Sequence, residues 1–68
     1  MTKAKLYNKY QFREAREFLK DATVLSGYDS PVEKTTTYEK NNKRYYEYWC
    51  KLEHPESEYY VVELEAVQ

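Results

Sequence analysis

The apolar positions of the chain follow two periods. Between Lys9 and Ala22 they recur every three to four residues: Phe12, Ala15, Phe18, Leu19 and Ala22 fall on one arc, joined by Gln11. That spacing predicts an amphipathic helix over about 9–22. Asn8 is a suitable N-cap, and Gln11 three residues later completes a capping box. Tyr7 and Phe12 have the spacing of a hydrophobic staple across the helix start. A second stripe carries Lys9, Arg13, Arg16 and Lys20, and a third Glu14, Glu17 and Asp21. Ala4 to Tyr7 alternates weakly, as a short edge strand would.

Thr23 to Pro31 reads as a loop, since Gly27, Asp29, Ser30 and Pro31 all favour turns, with Tyr28 tucked back onto the core. From Val32 the period becomes two, which predicts strands over about 32–40, 44–53 and 59–67. Asn41-Asn42 marks a hairpin, and His54-Pro55-Glu56-Ser57 a second turn. The expected fold is α+β: one amphipathic helix packed on a three-stranded antiparallel meander, with a short N-terminal edge strand.

Matching apolar faces selects a three-residue loop over Asn41 to Lys43. Lys40 then opposes Arg44, Tyr38 opposes Tyr46, Thr36 opposes Tyr48, Val32 opposes Leu52 and Glu33 opposes Lys51. A two-residue turn would put Glu33 and Thr35 among the tyrosines. On this register the helix covers Tyr46, Tyr48, Cys50, Leu52, Val62 and Leu64. The other face, with Thr35, Thr37, Tyr45, Glu47, Trp49, Lys51, Tyr59, Val61, Glu63 and Glu65, is left to solvent.

Composition bounds what such a fold can do. At 68 residues the chain is one small domain with a thin core. Nine tyrosines and Trp49 set it apart from disordered chains despite its 34% charged residues. It has no apolar run long enough to span a bilayer, and no hydrophobic stretch after its first lysines that would make a signal peptide. A single cysteine, Cys50, excludes an internal disulfide and points to a reducing, cytoplasmic setting. Lysine-over-arginine usage and abundant tyrosine match small accessory proteins of phages and mobile elements. The net charge of −1 hides a gradient. Residues 1–20 carry six bases against two acids, and residues 52–68 five acids and no lysine or arginine.

Chemistry finds little purchase. Cys50 and His54 have no orienting third group, and two ligands fall short of the four that zinc takes. With Gly27 the only glycine, no phosphate loop can form. The expectation is therefore no enzyme, no metal, no cofactor and no small-molecule substrate.

What remains is surface. Tyr45, Trp49, Tyr59 and Val61, flanked by Glu47 and Glu63, form an aromatic face that one helix cannot cover together with the other face; such a cluster suits a contact with another macromolecule. It could equally be covered by the N-terminal segment, the long loop or a second copy of the chain. Its glutamates disfavour a phosphate backbone, so a protein partner is preferred. The function expected is a non-enzymatic binding module, a regulator or inhibitor that masks a protein. Lys9, Arg13, Arg16 and Lys20 offer a second contact, or, in the alternative, the phosphate-binding side of a nucleic-acid-binding or transcription-regulating module.

Overall fold

The computed structural model describes residues 5–52 and 58–64. These form a mostly antiparallel-sheet protein: β1 (Lys5–Asn8), a 3-10 turn (Lys9–Gln11), α1 (Phe12–Leu19), β2 (Thr23–Asp29), β3 (Glu33–Lys40), β4 (Lys43–Cys50) and β5 (Tyr59–Leu64). The five strands lie in the order β1-β5-β4-β3-β2, each antiparallel to its neighbours. The three-stranded meander is thus corrected to a five-stranded sheet with one short helix. β1 is present as an edge strand. The second addition, β2, is the segment expected to be a loop.

Local chemistry explains the helix start. The Asn8 side chain accepts from the Tyr10 amide at 2.9 Å, and the Gln11 side chain accepts from the Asn8 amide at 3.2 Å, so the capping box is formed. The staple is not. Tyr7 packs on Phe18, ring centroids 5.9 Å apart, while Phe12 packs edge-on against Tyr59 at 4.8 Å. At the other end Lys40 donates to the Phe18 carbonyl (2.5 Å) and pairs with Asp21 (3.0 Å). This places a cation where the helix exposes unpaired carbonyls and lowers the Asp21 pKa.

β2 forms despite its turn-forming residues because Ser26, Gly27 and Asp29 need only fit an edge. It pairs with β3 from Thr23↔Glu39 to Asp29↔Lys34, with a bulge between Val24 and Ser26. The turn sits later, where the Ser30 hydroxyl accepts from the Val32 and Glu33 amides at 3.3 and 3.1 Å.

The β3–β4 register differs by one residue from the expected one. Asn41 and Asn42 both take positive φ, 54° and 65°, so the connection is a two-residue type I′ turn. Lys40 therefore opposes Lys43, Tyr38 opposes Tyr45 and Thr36 opposes Glu47. Because strand side chains alternate, a one-residue slip turns all of β4 over. The helix packs on Tyr45, Glu47, Tyr59 and Val61, whereas Tyr46, Tyr48, Cys50, Val62 and Leu64 lie on the face without a helix. Glu33 and Thr35 do share the tyrosine face, as feared, but that face is not the core.

The core comprises Ala15, Leu19, Tyr38, Tyr45, Tyr59 and Val61, flanked by Tyr7, Phe18 and Ala22. Among the described residues no helix is long and apolar enough to cross a membrane. The turn expected at His54–Ser57 and the position of Glu65 lie outside the described residues.

Candidate contact surface

The helix side of the sheet contains a buried polar cluster. Glu47 stands on β4 with its side chain 7% exposed. Tyr38 Oη donates to Glu47 Oε1 at 3.1 Å, and Tyr59 Oη donates to Oε2 at 2.5 Å. Arg16, reaching from α1, places Nη1 at 3.4 Å from both carboxylate oxygens. The arrangement satisfies a buried carboxylate from a strand on each side and from the helix above. Among the described residues, no group of three metal-ligating side chains exists.

The cluster carries a pH signature. Burial, then the adjacent Glu47 carboxylate, raises the pKa of both Tyr59 and Tyr38 above the usual 10.0. Below about pH 10 these hydroxyls are protonated in folded and unfolded chains alike, and they add no pH dependence. At higher pH the unfolded chain releases the protons first, so stability falls by about 1.4 kcal/mol per pH unit for each tyrosine. Urea unfolding at pH 8, 10 and 11 should show this decline, and Tyr59→Phe should make it shallower by one tyrosine's share, since Tyr38, Tyr48 and Tyr60 are raised as well. An identical decline in the variant would refute the assignment.

Among the described residues no helix covers the opposite face. Tyr28, Thr35, Tyr48 and Tyr60 form one row across β2, β3, β4 and β5; Ser26, Thr37, Tyr46, Val62 and Lys5 form the next. Tyr48 and Tyr60 stack at 5.1 Å with their planes 18° apart, and Tyr46 lies 6.4 Å from Tyr60. Lys5 sits over the Tyr60 ring at 4.9 Å and pairs with Glu58 at 2.8 Å. Tyr28 is 58% exposed. Burial and the neighbouring Tyr46 raise the Tyr60 pKa, so the phenol is neutral at physiological pH. The face is aromatic and uncharged at its centre. Its periphery mixes signs: Lys5 and Arg44 against Glu33, Glu39 and Glu58.

The residues expected to form the contact are distributed differently. Tyr45, Glu47, Tyr59 and Val61, expected to face outward, are buried beneath the helix. Trp49 lies at the margin of that layer, 44% exposed and 6.2 Å from the Phe12 ring. Glu63 is exposed and pairs with Lys43 at 3.4 Å. The basic stripe is broken up by local partners. Arg16 belongs to the Glu47 cluster, Lys20 bonds Glu17 at 2.7 Å, Lys9 lies over the Tyr10 ring at 5.3 Å, and Arg13 is exposed. Cys50, expected in the core, is half-buried opposite Glu33 on the face without a helix. Tyr46, Tyr48 and Tyr60 are legible only through the Asn41-Asn42 turn, whose two-residue form selects the face on which they lie; Tyr28, expected to tuck onto the core, is instead exposed on β2.

Comparison with models of protein families, with curated proteins and with solved structures gives no match.

Proposed function

We propose that this chain is a small non-enzymatic binding module that regulates or inhibits a protein by covering part of its surface. The contact is the bare sheet face around Tyr28, Tyr46, Tyr48, Tyr60 and Val62. The observation that carries this reading is a stacked tyrosine patch on the side of the sheet that the only described helix leaves open. Tyrosine supplies large contact area at low entropic cost and is enriched where interfaces concentrate their energy. The mixed rim favours a protein over a polyphosphate, since three glutamates would oppose a phosphate backbone. A cytoplasmic accessory role fits this reading.

The test is affinity capture from host lysate with the native chain and with Tyr48→Ser/Tyr60→Ser. Cross-strand pairs contribute only about 0.2–1 kcal/mol each and both rings lie outside the buried core, so the double variant should stay folded by circular dichroism. A protein captured with or without nuclease by the native chain, and lost on the order of 30-fold in affinity by the variant, is the expected result. Capture abolished by nuclease would instead favour nucleic acid, and capture indifferent to the substitutions would remove this face from consideration.

A further inference from the structure

The helix backbone approaches β1 and β5, so the helix side of β3 and β2 is left partly open. There the sheet and α1 border two adjoining open hollows of about 360 and 350 Å³. Arg16, Val24 and Tyr38 line both, and Gly27, Lys34 and Thr36 continue the floor toward the sheet edge. That edge is β2. All seven of its residues are exposed, it has no lysine, arginine or proline, and its one charge, Asp29, stands at its end paired with Lys51. β1, at the other edge, is only four residues long and carries Lys5; both edges hold an irregularity, that of β2 lying between Val24 and Ser26 and leaving Ser26–Asp29 as its regular stretch.

We propose that β2 and the adjoining groove accept an extended acidic segment of a partner protein, added as a sixth strand. This contact lies mainly on the other side of the sheet from the tyrosine face and meets it at the β2 edge, where Tyr28 and Thr35 border the second hollow; Tyr46, Tyr48 and Tyr60 belong to the tyrosine face alone. An added strand satisfies the outward backbone groups of β2 and sends alternate side chains toward the groove. Gly27 leaves room there. It presents no side chain to an incoming strand, while Val24, 61% exposed, offers an apolar wall.

Charge selects an acidic occupant. Arg16, Lys20 and Lys34 line the groove against one carboxylate, Asp29, which already pairs with Lys51. Arg16 is 56% exposed although it touches Glu47, and that contact uses only Nη1. A guanidinium has five N–H donors, so most of its donor capacity lies outside the Glu47 contact. Glu47 thus anchors an arginine that a ligand carboxylate can approach from the groove. Lys20 exchanges one exposed carboxylate, Glu17, for another at little cost.

The experiment titrates the full chain, followed by backbone amide NMR, with heptapeptides alternating glutamate and valine or lysine and valine. The glutamate peptide should bind saturably, shift amides of residues 23–29, and weaken as salt is raised. Its N-methylated form, which cannot pair with an edge, should not bind. Lys20→Glu/Lys34→Glu, both at exposed positions, should weaken binding on the order of tenfold. The proposal fails if the lysine peptide binds equally well, if shifts centre on Tyr46, Tyr48 and Tyr60, if N-methylation is without effect, or if no binding saturates at millimolar peptide. It also fails if β2 proves to be occupied by a second copy of the chain, seen as a dimer in sedimentation. A null result at the groove leaves capture through the tyrosine face untouched, so the two readings fail separately.

Discussion

Glu47→Ala should cost about 2–5 kcal/mol, enough to unfold much of the population near physiological temperature. The change removes the acceptor for both Tyr38 and Tyr59, and each buried hydroxyl left without a partner costs about 1–3 kcal/mol. Arg16 adds less, being more than half exposed. A domain of this length has about 3–10 kcal/mol in total at the usual stability per residue. A melting temperature lower by about 10–30 °C is expected at roughly 4–8 °C per kcal/mol. The informative control removes the whole cluster: Glu47→Leu with Tyr38→Phe and Tyr59→Phe leaves no orphaned group, and should recover most of the loss. A single alanine variant melting within 3 °C of the native chain would show that the cluster contributes little.

The second large effect lies in the Asn41-Asn42 turn. Both residues occupy the left-handed region, which asparagine tolerates and a β-branched residue does not. Asn41→Val/Asn42→Val should destabilise by about 2–4 kcal/mol, at roughly 1–2 kcal/mol per strained residue. Asn42→Gly keeps the turn and should be neutral or mildly stabilising, since Asn-Gly is the favoured type I′ pair. Chemical denaturation measures both. A valine pair without effect would mean that strand packing alone holds the register.

The same turn decides how much of the molecule could be read beforehand. The helix start was legible because Asn8 and Gln11 act locally, and Ala15 and Leu19 were found because helical periodicity marks one buried face. The strands β3, β4 and β5 were legible for the same local reason. Which of their faces lies inside was not. Counting apolar side chains made Tyr46, Tyr48, Val62 and Leu64 the natural core, and a glutamate in the middle of β4 argued against the alternative. Glu47 can be buried because Tyr38, Tyr59 and Arg16 converge on it from three elements, a condition no local pattern encodes. β2 was missed because Ser26, Gly27 and Asp29 favour turns, whereas an edge strand asks little of its residues beyond pairing on one side. The expected contact inherited this inversion: an aromatic sheet face without a helix does exist, built from the alternate tyrosines.

The pairing of β1 with β5 has a consequence for biosynthesis. Lys5 and Glu58 meet although 53 positions separate them, and α1 can settle only on a platform that includes β5. As the polypeptide leaves the ribosome, β1 and α1 have no docking place until β5 has emerged. The β3–β4 hairpin is the most local pairing available and the expected nucleus, with β1 and α1 seated after β5.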